Sequence, residues 1–151
     1  MKKLHLLFLF VCVAPGLFAS TDDKLISDLK KKAESGDTPS QCQLGECYKE
    51  GILVSKDYSE ALKWYRMASD FGVAAARYDI GVMHLKGEGV PMDYVEAYAW
   101  FNLSVAGGYE FARRSRDHIA NKLMTPDQVA RGQARSTELF REIEVKKAKR
   151  K

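Results

Sequence analysis

Four side chains in the body of this chain hint at chemistry: Cys42, Cys47, His84 and His118. A zinc site needs cysteines and histidines in closely spaced pairs, and this set offers no such spacing. Nucleophilic catalysis needs a serine, threonine or cysteine set by motif beside a base, and no nucleophile elbow is present. No glycine-rich phosphate loop follows a strand. The two cysteines fall on one predicted helix, five positions apart and roughly 140° around its axis. Side chains pointing apart in this way cannot form a bridge that needs Cα atoms within about 7 Å. Two unbridged thiols, buried or half-buried, are therefore expected. His84 occupies a packing position, which predicts a satisfied core histidine rather than a ligand. Trp64, Tyr65, Trp100 and Phe101 have the residue types of a ligand cage, but their helical spacing makes them core. Asn102-Leu103-Ser104 is a glycosylation sequon by letter, placed inside a predicted helix. These residues assign no catalytic side chain, metal ligand or cofactor site.

The elements that hold these residues are announced by a repeat. Shifting the sequence by 36 positions superposes Gly36 on Gly72 and Gly108, Leu44-Gly45 on Ile80-Gly81, and Gly51 on Gly87. The same shift brings Asp57-Tyr58 onto Asp93-Tyr94, Glu60-Ala61 onto Glu96-Ala97, and Trp64-Tyr65 onto Trp100-Phe101, without a gap. Glycines, aromatics and small residues matching at one offset mark an array whose units bury their apolar faces on one another.

The 151 residues suffice for one domain. Residues 1–19 read as a secretory signal peptide: Lys2-Lys3, an apolar run from Leu4 to Ala14, the break at Pro15-Gly16, and Ala19 before the cleavage point. The mature domain is then expected at 20–145, in the periplasm or secreted. An uncleaved membrane anchor is the alternative. Net charge is +4, from 24 basic and 20 acidic residues. Lys2, Lys3 and the five cations of a basic tail at 146–151 account for seven of the basic residues. Seventeen against twenty remain, so the body carries about −3. That balance gives no support to a nucleic-acid partner. The tail reads as a solvated, frayed end, with weak contact to an anionic membrane surface as its sharper use.

Every mature segment reads as helix. A first helix starts at Ser20 or Thr21 and ends before Gly36, a helical cap over about 21–35. Repeats follow at about 37–72 and 73–108, each a helix pair. Asp37 or Thr38 caps one helix, Asp57 and Asp93 cap others, and Glu60 and Glu96 stand in capping-box spacing to return the bond. Leu44, Cys47 and Tyr48, then Ala61, Leu62, Trp64, Tyr65 and Ala68, form the inner faces. After Gly108 the register decays. Arg114, Arg116 and Asp117 replace Tyr78, Ile80 and Gly81, and Thr125-Pro126 starts a last polar helix. Residues 109–145 are thus expected to form the polar terminal cap that a solenoid needs.

The segments Ala33-Glu34-Ser35-Gly36-Asp37, Leu44-Gly45-Glu46-Cys47-Tyr48 and Asp57-Tyr58-Ser59-Glu60-Ala61-Leu62-Lys63-Trp64-Tyr65 resemble the Sel1-like repeat family. The copy from Ile80-Gly81 through Gly87-Glu88-Gly89-Val90-Pro91-Met92-Asp93-Tyr94 to Trp100-Phe101 is closer still. The likeness covers about 33–140. It implies an all-α, right-handed α/α solenoid of TPR-like helix pairs. The first copy departs in its turn, where Ile52-Leu53-Val54 replaces Gly-x-Gly-Val. Leucine is strained at a left-handed glycine position, so a different turn shape is expected there. A cysteine-rich branch of the family carries regular disulfides and has members linked to β-lactam binding. Glu34 stands where the partner of Cys42 would be, so those properties do not carry over.

In helix-pair solenoids of this kind the first helix of each pair lines the concave face. The register puts Cys42, Glu46 and Lys49, then Tyr78, Val82 and Leu85, then Arg114, His118 and Asn121 on its solvent side. An apolar centre with a polar rim suits a protein interface. The expected partner-binding residues are Glu46, Lys49, Tyr78, Val82, Leu85, Arg114 and His118. The resemblance implies an exported, non-enzymatic protein-binding module. Such a module could be a periplasmic immunity protein neutralising a type VI secretion phospholipase effector, or an envelope or host-interaction adaptor. A cell-wall or β-lactam hydrolase is the competing enzymatic reading.

Overall fold

A computed structural model describes the backbone of residues 16–150 and the side chains of 21–150. Residues 1–15, where most of the expected signal peptide falls, lie outside the described residues. Within them run seven helices and no strand: α1 (Gly16–Glu34), α2 (Thr38–Glu50), α3 (Tyr58–Asp70), α4 (Ala74–Lys86), α5 (Tyr94–Ala106), α6 (Phe111–Lys122) and α7 (Pro126–Ala148). Each of α1 to α5 packs on the next helix in the chain, giving an all-α solenoid. The first helix differs from expectation at its start, which lies at Gly16 rather than at a Ser20 or Thr21 cap.

The 36-residue period has a direct packing cause. The α2–α3 and α4–α5 pairs close where a glycine faces an aromatic ring. A Cβ on Gly45 would lie 2.5 Å from Cε1 of Tyr65, and one on Gly81 would lie 2.7 Å from the Phe101 ring. Both distances are below any real carbon contact, so each pair approaches as closely as it does because that side chain is missing. Leu44 and Ile80, one residue earlier, are fully buried.

Caps define the helix starts. Asp37 accepts from Ser40 N at 3.0 Å, and the Ser40 hydroxyl donates to the same carboxylate. Asp57 Oδ1 accepts from Ser59 N at 2.9 Å and Glu60 N at 3.0 Å, and Asp93 repeats this with Val95 and Glu96. The expected reciprocal bond from Glu60 and Glu96 does not form. The Asp57 N–H already donates to Tyr48 O at 2.8 Å, and Asp93 N–H to His84 O at 3.0 Å. With the cap donor satisfied from the preceding helix, Glu60 turns to Lys63 and Glu96 to Arg135. A full capping box occurs at Thr125 and Gln128, where no such carbonyl intervenes.

The turn of the first repeat keeps the shape of the second. Leu53 has φ of 63° and Gly89 has 73°. The expected change of shape is wrong for a spatial reason. A Cβ on Gly89 would meet Tyr58 Cβ at 2.7 Å. Leu53 instead lines an open depression with Leu25, Leu29 and Cys47. Room for the side chain lets leucine occupy the left-handed conformation, at a backbone cost of about 1–2 kcal/mol.

The polar terminal helix is corrected as well. α7 does not sit flat against α6 as a solenoid cap. Its main contacts are with α5, and it reaches back to α3. Val129, Gly132, Ser136, Leu139 and Ile143 are spaced three and four apart and form its inner stripe, of which Leu139 and Ile143 join Trp100 and Tyr65 in one core. The tail is not frayed throughout. The helix continues to Ala148. Lys146 and Arg150 each lie 3.3 Å from Asp70 Oδ2, and the Arg150 guanidinium sits over the Phe71 ring at 4.6 Å.

Candidate functional site

The seven expected binding residues lie on α2, α4 and α6, the first helices of successive pairs, and the structure gathers them unequally. On α4, Tyr78, Val82 and Leu85 are half-buried and pack against Phe101, Ala112 and Ile119. They therefore contribute to the core as well as to the surface, more than a purely solvent-side placement would have them do. Tyr78 lies between Phe101 and Tyr109, with ring centroids at 5.4 Å and 5.5 Å, and Tyr109 continues to Phe111 at 5.5 Å. This aromatic run connects α4 to α6 through the turn after α5. Phe111 at its end is 77 % exposed. Sequence reasoning missed Tyr109 and Phe111, because they sit where the repeat register fails; two aromatics next to Gly107-Gly108 were the available signal.

Leu85, Arg114 and His118 converge with Ser115 and Ile119 on a depression of about 250 Å³. A second depression of about 220 Å³, bounded by Glu110, Phe111 and Arg114, lies along the same helix. Arg114 borders both.

Glu46 and Lys49 on α2 form a separate group. Lys49 Nζ is 3.2 Å from Glu46 Oε2 and 3.5 Å from Glu50 Oε1, and Tyr65 OH donates to Glu46 Oε2 at 2.9 Å. Beside them, burial pushes the Asp79 carboxyl up to about 6, with Lys49 opposing and Glu46 adding to the shift. Burial alone would lower Lys49, but Glu46, Asp79 and Glu50 outweigh it and hold its ammonium above the ordinary value. Desolvation, then the nearby Asp79, raises the Tyr65 hydroxyl well above the ordinary tyrosine range. Asp79 is an ionisable group that sequence reasoning passed over, since its repeat equivalent is the neutral Gln43.

Of the residues that first suggested chemistry, Cys42, Cys47 and His84 are half-buried or buried, whereas His118 is exposed on α6. Cys42 and Cys47 are free and half-buried, and burial raises both thiols. His84 is 8 % exposed, and burial lowers its imidazole despite Glu96. Neither ring nitrogen has a hydrogen-bond partner among the described residues, so it is a core histidine but not a satisfied one. Asn102, the sequon asparagine, is tied to Arg116 at 3.1 Å and Ser136 at 3.2 Å. Among the described residues no group of three or more histidine, cysteine and carboxylate side chains is placed to hold a metal ion. No helix among them is long and apolar enough to cross a membrane.

Comparison with known proteins agrees with the repeat fold. The Sel1 repeat model matches residues 38–72 and 74–109. Over 43 residues the chain is 42 % identical to the secretory immunoglobulin A-binding protein EsiB of Escherichia coli O6:H1 (strain CFT073), a stretch covering 28 % of this chain and 9 % of that protein. A protective antigen present in uropathogenic Escherichia coli strains, displaying an SLR fold, superposes with a TM-score of 0.69 at 28 % identity. That match takes in 82 % of this chain and 27 % of the antigen, so the chain spans less than a third of either relative. A Sel1 repeat protein from Oxalobacter formigenes superposes with a TM-score of 0.58 at 24 % identity, over 76 % of this chain and 89 % of that one, a likeness of fold alone.

Proposed function

We propose that this chain, which belongs to the Sel1-like repeat family, is a non-enzymatic module that binds a protein partner over α2, α4 and α6. Tyr78, Val82 and Leu85 form the centre of the contact. Glu46, Lys49, Arg114 and His118 form its rim. The observation that carries this reading is the convergence of Leu85, Arg114 and His118 on one open depression, continuous with half-buried apolar side chains of α4. A partner gains most from filling such an apolar centre, while rim charges set orientation and association rate.

The signal-like segment 1–19 supports a periplasmic or secreted location. Two specialisations suit that location: immunity against a phospholipase effector of type VI secretion, and adaptor function in envelope or host interaction. The second is favoured by a specific observation, the likeness to a protein named for binding secretory immunoglobulin A. A photo-reactive residue at Val82 should yield a discrete protein adduct in cells, and the same residue at the exposed Arg141 on α7 should not. The reverse pattern would move the interface to the α7 side. Turnover of peptidoglycan or nitrocefin by the purified domain, lost on a point substitution, would replace the binding reading with an enzymatic one.

A further inference from the structure

Charge is unevenly engaged along α6. Arg113 is held by Glu110 at 2.8 Å and 3.1 Å, and Arg116 by Asp117 at 2.8 Å and Asn102 at 3.1 Å. Arg114, His118 and Lys122 are exposed and have no ion-pair or hydrogen-bond partner among the described residues. They recur every fourth residue, which puts them on one stripe with about 6 Å of rise between neighbours. Arg114 and His118 line the depression shared with Leu85 and Ile119, and Arg114 also borders the one beside Phe111. At the opposite edge, the cation Lys49 is already neutralised by Glu46 and Glu50. The face therefore has an apolar centre and one edge where the cations Arg114 and Lys122, with the His118 ring between them, are unengaged.

We infer that the partner presents an acidic protein segment to the α4–α6 edge, with carboxylates about one helical turn apart flanking an apolar side chain. This rests on the α2–α4–α6 face being the docking surface and assigns the chemistry that fits it. Charge complementarity selects the occupant. Carboxylates spaced at i and i+4 on a helix match the 6 Å interval of Arg114, His118 and Lys122. An intervening leucine or phenylalanine fits the depression of about 250 Å³. A phosphate backbone, with its more closely spaced charges, is a poorer match for Arg114, His118 and Lys122 set at intervals of about 6 Å.

Three labelled peptides of equal length separate the possibilities, built from leucine with glutamate, glutamine or lysine in the same helical pattern. Fluorescence anisotropy at two ionic strengths should show the leucine–glutamate peptide binding at least tenfold more tightly than the other two, and less so in high salt. The double variant Arg114→Glu, His118→Glu should lose that preference and gain binding to the leucine–lysine peptide. Arg141→Glu on α7 should change nothing. All these positions are exposed, so the variants should melt with the parent. Equal binding of the three peptides, weakened in each case by Leu85→Ala, would leave the docking face standing and overturn the acidic partner. Equal binding untouched by Leu85→Ala would overturn the face itself. Absence of peptide binding, or binding instead to a single-stranded oligonucleotide or phosphatidylglycerol vesicles with the same charge-variant sensitivity, would also overturn the proposal.

Discussion

The two repeats share one backbone plan and differ in what closes over them. Trp64 packs with Ile26, Ala33 and Leu44, under α1. Trp100 packs with Tyr65, Ile80, Leu139 and Ile143, under α7. Equivalent helices are thus finished by unrelated ones, a chain-leading helix in the first case and a back-folded terminal helix in the second. The turns differ in the same sense: Gly89 is pressed against Tyr58, and Leu53 faces open space. A repeat sequence specifies the unit, whereas its neighbours decide which positions inside it are constrained.

The largest expected effects come from the tryptophans. Trp64→Ala and Trp100→Ala should each cost about 3–5 kcal/mol in chemical denaturation, the usual range for a large aromatic deleted from a core. Trp100→Ala should also loosen α7, visible as faster amide exchange from Ser136 to Ile143, while α1 over Trp64 is unaffected. If both variants melt with the parent, the tryptophans are surface anchors rather than core. Gly89→Leu comes next, at about 3 kcal/mol, from left-handed backbone strain together with overlap against Tyr58. A loss under 1 kcal/mol would mean that the second turn is as open as the first.

Asp79 distinguishes the first helices of the two repeats, since Gln43 is its counterpart. Its folded value of about 6 lies above the ordinary 3.8. The folded state therefore holds this proton more tightly than the unfolded chain does. Stability from this group is fully present below about pH 4, is lost as pH rises to about 6, and is flat above that. Asp79→Asn should raise stability at pH 7 by about 2 kcal/mol and flatten the profile between pH 4 and 6. An unchanged slope would show that Asp79 is solvated.

The tail contributes less. Asp70 has the neutral Ala106 at its repeat equivalent, so Lys146 and Arg150 find a partner in the first repeat alone. Both cations are about half-exposed, and Asp70→Asn should cost roughly 0.5–1 kcal/mol, less at high salt. No loss at any ionic strength would return the tail to a solvated end.

Much of this was legible in the sequence because it is local. The ends of α4 and α5 are marked within a few residues by left-handed glycines and, at the start of α5, by the Asp93 cap. Long-range choices were not legible. Leu139 and Ile143 have the spacing of a buried stripe, but nothing local says that it faces Trp100 rather than α6. The role of Glu96 depended on Arg135, 39 residues away. The proposed binding residues were chosen by register, and three of them, Leu85, Arg114 and His118, line one depression. Register could not show that Tyr78 would be wedged between Phe101 and Tyr109, because Tyr109 lies beyond the last matching repeat.

The smallest effect tests the comparison most closely. Leu53→Gly installs in the first turn the residue that the second turn requires. Glycine removes the left-handed strain, about 1–2 kcal/mol. It also widens the unfolded ensemble by about 0.5–1 kcal/mol, and it gives up the contacts of a side chain that is 37 % exposed. These contributions oppose one another, so the melt should shift by no more than about 0.5 kcal/mol in either direction. Leu53→Ala separates them: it retains the strain and loses the contacts, and should be the less stable of the two variants. If Leu53→Gly instead costs more than 2 kcal/mol, the leucine is packed against a surface that the open depression beside Leu25 and Leu29 does not reveal. If it gains more than 2 kcal/mol, the first turn is strained well beyond its dihedral angle, and the two turns are less alike than their φ values of 63° and 73° indicate.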